Sequence, residues 1–409
     1  MRIIHTSDWH LGQSFYTKNR AREHQTFLRW LIEQVERYHV DAVLVVGDIF
    51  DTGTPPSYAR ELFNRFVTDL QPTGCQLIVL GGNHDAAATL NESRDLLACL
   101  HTRVIARADG QQVFPLNKRN GKPGAILCAV PFLRARDLLA SRPGESADDK
   151  QRALAQAIAD HYRQCHEQAL ALRSTLPSPV PIVATGHLTV VGASTSESVR
   201  DIYIGSLEAF PAQRFPPVDY LALGHIHRPQ VVNVDPPIHY CGSPIALSFD
   251  EAGQTKQVNL VTFADGRKAE ITPLPIPEVQ PMRLLSGTAE QIETQLRALE
   301  SSQGGQPIWL DIEVTTDDWL NDIQQRIRQT AADLPVEIVL LRRNREQRLR
   351  SLAQSPRETL AELSVEEVFE RRLSQVAGKE AADLERIRQL YAQVVADLRL
   401  ASPPEEQAS

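Results

Sequence analysis

The chain has 409 residues, 42% hydrophobic and 23% charged, ordinary for a globular protein and long enough for two or three domains. Its formal net charge of −8 supplies no overall basic field, so any nucleic-acid partner must be held by local patches, metal ions or another subunit. Five scattered cysteines without C-x-x-C spacing argue against a disulfide framework or a zinc cluster and fit reduced thiols in a cytoplasmic protein.

Residues 2–7 (RIIHTS) form a short apolar run that reads as a buried strand and ends on Asp8 and His10. No signal-peptide-like stretch precedes it, and no apolar run nears the roughly 20 residues of a spanning helix, so a soluble chain without membrane contact is expected. Residues 24–38 place Phe27, Leu28, Leu31, Ile32 and Val35 on one helical face. Residues 42–46 are again strand-like and pass through Gly47 into Asp48. Residues 58–70 repeat the helical pattern, and residues 77–80 lead through two glycines to Asn83 and His84. This alternation predicts right-handed α/β crossovers.

Residues 142–181 read as an excursion: a polar break, a long Ala- and Gln-rich helix facing solvent, and a Ser/Pro-rich turn. Strands resume at 182–186, which reach His187, and at 220–224, which reach His225 and His227. The four prolines of residues 272–281 (TPLPIPEVQP) predict a stiff linker over 273–281, closing a first domain at 272. A small α/β domain follows over 282–345, near the lower limit of independent stability and so expected to lean on a neighbour. Residues 346–409 differ again. Ser364 and Glu367 make a capping box ahead of an apolar stripe at Val365, Val368, Phe369, Leu373 and Val376. A second helix carries Leu384, Ile387, Leu390, Tyr391, Val394 and Leu398, and a polar tail ends the chain. Those faces must be buried on the chain itself or on a partner protein.

Open sheets gather function at the carboxyl ends of their strands. Five strands here end on metal-binding side chains, which predicts that two Asp, one Asn and four or five His converge on one rim as a dinuclear metal site. Singly, each element has a bland meaning: a Gly-Asp after a strand is commonly a turn, and Asn83 could hold an Asx turn. Chance does not readily deliver all of them after five separate strands. Mixed carboxylate and imidazole ligation suits Mn²⁺, Fe²⁺ or Zn²⁺ rather than Mg²⁺ or Ca²⁺. Two such ions ~3.5–4 Å apart can clamp a phosphoryl group.

The order D-x-H (Asp8, His10), G-D-x-x-D (Gly47 to Asp51), G-N-H-D (Gly82 to Asp85), G-H (Gly186, His187) and G-H-x-H (Gly224 to His227) resembles the calcineurin-like metallophosphoesterase superfamily. Longer stretches, among them MRIIHTSDWHLGQSFY, GDIFDTGTPPSYARELFNRF and YCGSPIALSFDE, are similar to its double-strand-break-repair nucleases. The resemblance implies a two-sheet α/β sandwich flanked by helices, with a small α/β domain that caps DNA. It implies two Mn²⁺ ions, one on Asp8, His10, Asp48 and His227, the other on Asp48, Asn83, His187 and His225. His84 would act on the scissile phosphate, and Asp51 and Asp85 would hold the ligands from behind. The implied activity is that of a DNA exonuclease at duplex ends and endonuclease at hairpins, in DNA repair and recombination. The protein would be a homodimer formed through residues 58–70 and 90–100. The terminal helices would dock on an SbcC-type ATPase that gates cleavage. Lys18, Arg20, Arg200, Arg342 and Arg343 are candidate DNA contacts. Two other functions remain open: a phosphomonoesterase or cyclic-nucleotide phosphodiesterase with a small substrate, and a scaffold for the ATPase with weak catalysis.

Overall fold

The computed structural model describes residues 1–139, 146–199, 209–264, 269–299, 306–315 and 320–343. Two six-stranded sheets stack face to face. In the first, Arg2–Thr6, Ala42–Val46, Gln76–Leu80 and Thr102–Ile105 lie parallel in that spatial order. Gln257–Thr262 and Glu270–Pro275 extend it antiparallel beyond Arg2–Thr6. The second sheet has Pro123–Cys128, Ile182–His187, Tyr220–Gly224 and Pro237–Tyr240 parallel at its centre, edged by Val113–Asn117 and Gln230–Val234.

Alternation along the strands decides which layer each residue enters. Ile3, Leu44, Ile78 and Leu80 of the first sheet meet Leu127, Val183, Tyr220 and Ala222 of the second in a central core. The opposite parity of the first sheet, Ile4, Val43, Val45 and Val79, packs under Phe27, Leu31, Phe63 and Phe66 of the helices Ala21–Arg37 and Ser57–Leu70. Strands covered on both faces have no polar side, which is why they read as uninterrupted apolar runs.

The long helix is Ala147–Ser174, and it is not merely solvent-facing as its sequence suggests. Leu154, Ile158, Tyr162, Cys165 and Ala169 are buried against the second sheet, and the Tyr162 hydroxyl donates to the Thr185 carbonyl at 3.0 Å. Alanines between those positions dilute the amphipathic signal without weakening the contact. Each large side chain buried there contributes about 1.5–3 kcal/mol. Residues 90–100, expected in the dimer contact, span parts of two short helices, Ala87–Asn91 and Arg94–Ala98.

The expected linker begins too early. Pro273 and Pro275 lie inside the edge strand Glu270–Pro275, opposite Asn259 and Gln257. They share parity, so both missing N–H groups fall on the same side of an edge strand, the position a sheet tolerates. Beyond them, Met282–Gly287, Ile308–Val314 and Val336–Arg343 form a three-stranded sheet with the helices Ala289–Arg297 and Leu320–Ala331. This small domain has its own core around Ile292, Leu310, Ile312 and Ile327. It also rests on the larger one, because Met282 and Trp309 pack with Phe15 and Phe249.

Met1–Arg342 is one compact unit and Arg343–Ser409 a second. The stripe residues Val365, Val368, Phe369, Leu373, Leu384, Ile387, Leu390, Tyr391, Val394 and Leu398 lie outside the described residues, as does Arg200. Among the described residues no helix is long and apolar enough to cross a membrane.

Candidate metal centre

The five expected strand ends meet on one rim between the two sheets. Asp8, His10 and His227 bring ligand atoms within 4.8 Å of one another, as do His10, Asp48 and His84, and Asp48, His187 and His225. Asp48 and His10 each belong to two of these groups. Asn83 joins them, its Oδ1 lying 2.9 Å from His187 Nε2 and 3.2 Å from His225 Nδ1. All seven expected ligands and His84 are thus brought together.

The backbone is bent to achieve this. Asp8, His10, Asp48 and His225 have φ of 54°, 46°, 51° and 90°, in the left-handed region that costs a non-glycine residue about 1–3 kcal/mol. Close approach is equally demanding. A Cβ on Gly47 would lie 2.1 Å from His187 Nδ1, and one on Gly82 2.2 Å from Asp48 Oδ1.

Three of the imidazoles, His187, His10 and His84, are aimed by the atom behind them. His187 Nδ1 donates to the Val46 carbonyl at 3.0 Å, which turns Nε2 towards Asp48 Oδ2 at 3.2 Å. His10 Nδ1 lies 3.0 Å from Asp51 Oδ1, which leaves its Nε2 facing Asp48 Oδ2 at 3.7 Å. His84 Nδ1 donates to the Asp51 carbonyl at 2.7 Å, and its backbone N–H donates to Asp48 Oδ1 at 2.8 Å. Asp85 accepts from the backbone N–H groups of Ile49, Phe50 and Gly82, tying the two loops that carry Asp48 and Asn83. Asp51 thus contacts His10 and His84, and Asp85 the backbone of the loops around them.

The electrostatics fit a cation. His10 Nε2 and His225 Nε2 are buried and have no hydrogen-bond partner, an arrangement that costs free energy unless something else satisfies the lone pair. Burial opposes charging His187, but Asp48 overrides it and raises its pKa to about 9. The same imidazolium, with His10 and His84, holds Asp48 far below the ordinary carboxylate range despite burial. His225 goes the other way, well below its usual value, through burial and the charge of His187. Burial and the Asp48 charge push Asp85 up to about 6. A proton on His187 takes the place that a divalent ion fills in a mixed Asp, Asn and His donor set, so these residues fit such an ion.

Sequence reasoning missed the support behind His227. Its Nδ1 lies 2.6 Å from Ser198 Oγ and 3.5 Å from the buried Glu251 carboxylate, which pairs with the buried Lys256 at 2.5 Å. Burial would raise the Glu251 pKa, but Lys256 and His227 hold it well below the usual value. No fixed spacing links Ser198, Glu251 and Lys256 to the expected ligands, so no motif announces them.

The proposed DNA contacts fare differently. Arg20 is 1% exposed, paired with Glu23 and packed beside the stacked rings of Phe15 and Trp309, with its guanidinium carbon 4.9 and 5.6 Å from their ring centres. It is an internal strut between the two domains, not a DNA contact. Lys18 is paired with Glu337, and Arg342 with Asp311 at 2.6 Å, so both charges are already opposed by carboxylates. The side chain of Arg343, like all of Arg200, is outside the described residues.

Comparison with known proteins agrees with this architecture. Residues 1–229 match the family model "Calcineurin-like phosphoesterase", and residues 278–377 match "Type 5 capsule protein repressor C-terminal domain". The chain is 54% identical to SbcD, the D component of the nuclease SbcCD, of Escherichia coli K12 over 91% of its own length and 93% of the relative's. It is 35% identical to the Rhodobacter capsulatus protein of the same name, over 71% and 73% of the two chains. The chain belongs to the calcineurin-like phosphoesterases, within the SbcD nuclease family. A solved dimetal phosphatase from Danio rerio aligns over 68% of this chain and 97% of its own, at 12% identity and a TM-score of 0.40. As an SbcD-family phosphoesterase the chain is a metal-dependent nuclease, and the rim of Asp, Asn and His side chains is its candidate centre.

Proposed function

We propose that the chain hydrolyses DNA phosphodiesters with two divalent ions, Mn²⁺ first among them, as an exonuclease at duplex ends and an endonuclease at hairpins. Asp8, His10, Asp48 and His227 would hold one ion, and Asp48, Asn83, His187 and His225 the other. The observation that carries this reading is Asp48, whose Oδ2 lies 3.7 Å from His10 Nε2 and 3.2 Å from His187 Nε2 and which belongs to the groups of both histidines, with His225 in the second. Such ions supply Lewis acidity towards the phosphoryl oxygens and the attacking water.

The residues of the chain do the rest. Asp48, Asp8 and Asn83 bring the anionic and neutral oxygens that a hard cation prefers, and the imidazoles set its geometry. Because His84 Nδ1 donates to a carbonyl, its Nε2 carries the exchangeable proton: an acceptor when neutral, a donor only as imidazolium. As imidazolium, it could orient the phosphate or protonate the departing 3′ oxygen.

Family membership and the surface beside the helix Ser57–Leu70 support the partners. The relatives bear the name of one component of an SbcCD complex, so an SbcC-type ATPase is the proposed partner, docked by the apolar stripes that the sequence carries between Val365 and Leu398. A cleft of 610 Å³ beside the helix Ser57–Leu70, lined by Phe63, Leu90 and Leu97, and the exposed Leu96 favour a homodimer through this region.

The test is cleavage of an end-labelled hairpin duplex with Mn²⁺, beside p-nitrophenyl phosphate, using Asp48→Asn as the contamination control. Cleavage by the wild type alone, without monoester turnover, is the expected result. Monoester turnover with intact DNA would replace this reading with a small-substrate phosphatase.

A further inference from the structure

We propose that Ser198 is a positioning residue for His227, locking its tautomer so that Nε2 presents a lone pair to the metal centre. The inference rests on His227 being a ligand, as in the function proposed above. Its force comes from counting protons in a closed network.

Glu251 is fully buried and receives an unusual number of donors. Its Oε1 accepts from Ser196 at 2.8 Å, Ser198 at 2.5 Å and Ser248 at 3.1 Å, and its Oε2 from the Leu247 backbone at 3.1 Å. Lys256, also buried, spends its three N–H bonds on Glu251 Oε2 at 2.5 Å, Ser243 Oγ at 3.0 Å and the His227 carbonyl at 3.1 Å. An ammonium in that place fixes the carboxylate as an acceptor only.

The Ser198 hydroxyl has one hydrogen. At 2.5 Å from an ionised carboxylate it must donate that hydrogen to Glu251, since two lone pairs would otherwise face each other. Towards His227 Nδ1, at 2.6 Å, it can then only accept. His227 therefore carries its hydrogen on Nδ1, and the Nε2 lone pair is left for the group it forms with Asp8 and His10. His10 and His187 reach the same tautomer through Asp51 and the Val46 carbonyl; His227 reaches it through a serine backed by a buried ion pair. Lys256 adds a second hold, gripping the His227 backbone with the ammonium that fixes Glu251.

The design suggests a clean comparison between two serines. Ser196 and Ser198 both donate to Glu251 Oε1, but only Ser198 touches His227. Mn²⁺ binding to the full-length chain, followed by loss of the free-ion EPR signal, should show two sites in the wild type. Ser198→Ala should weaken one of them about 10–100-fold and leave the other unchanged. Ser198→Thr, which keeps the hydroxyl, should restore the affinity, and Ser196→Ala should match the wild type. Thermal unfolding of the metal-free variants checks that each is folded. Wild-type affinity in a folded Ser198→Ala variant would overturn the proposal, as would equal weakening by Ser196→Ala, which would mark the network as merely structural. A wild type that takes up no ion would instead overturn the metal-centre reading itself.

Discussion

His84 is anchored twice, through its backbone N–H to Asp48 and through Nδ1 to the Asp51 carbonyl, yet the ligand sets proposed for both ions are complete without it. His84→Ala should therefore keep both ions and lose about 10²–10⁴-fold in cleavage rate. A drop in metal stoichiometry, read by the same Mn²⁺ titration, would make it a ligand instead. His187 gives a pH signature. In the metal-free protein its pKa is raised to about 9, so at neutral pH an ion must displace its proton. Binding releases a proton, so higher pH favours it: apparent affinity should rise about tenfold per pH unit from 7 to 8, and level off above about 9. Calorimetry in buffers of different ionisation enthalpy would count the proton directly. Arg20 shows where residue-level reading of sequence fails, because a letter carries charge but not burial. Its guanidinium is enclosed by Glu23, Phe15 and Trp309. Arg20→Ala leaves Glu23 buried and unpaired and should cost about 3–5 kcal/mol in unfolding free energy. A DNA-contact residue would instead lower affinity for the substrate and leave stability unchanged.

At the scale of elements, the candidate site was legible because buried parallel strands announce themselves as apolar runs, and each of five leads to a proposed ligand. The turns that follow were less so. Nothing in the letters says that Asp8, His10, Asp48 and His225 adopt positive φ. Gly82 shows the constraint: its α-carbon hydrogen faces the Asp48 carboxylate and backbone, where a Cβ would lie 2.2 Å from Oδ1 and 2.3 Å from the amide nitrogen. Gly82→Ala should leave the sheets intact, with unchanged far-ultraviolet circular dichroism, and displace Asp48 from both ligand groups. Loss of metal uptake in a folded protein is the expected outcome, and normal uptake would mean that the loop yields without cost. The edge strand Glu270–Pro275 was misread because proline is counted as a breaker, whereas an edge needs only half its N–H groups. The helix Ala147–Ser174 was misread because alanine at its seam buries well yet looks neutral.

Over the whole molecule, the net charge of −8 is met by concentrating function at one rim and, on the proposed reading, by borrowing DNA contacts from a partner. Of the residues expected to touch DNA, those whose side chains are described are buried or already paired with carboxylates, which strengthens the need for that partner. Every proposed ligand, the Glu251 network and the contact of Trp309 with Phe15 fall within Met1–Arg342, the first compact unit. The amphipathic stripes from Val365 to Leu398 fall entirely within the second. Catalysis and partner docking should therefore separate along the chain. Deleting residues 364–409 should leave Mn²⁺-dependent cleavage of a hairpin near the full-length rate when the chain acts alone, because no proposed ligand and no described core residue is removed. The same deletion should abolish co-purification with an SbcC-type ATPase and any stimulation of cleavage by ATP in the mixture. If basal cleavage vanished while metal uptake persisted, the terminal segment would belong to the catalytic unit. If ATP still stimulated cleavage, the partner must dock elsewhere on Met1–Arg342.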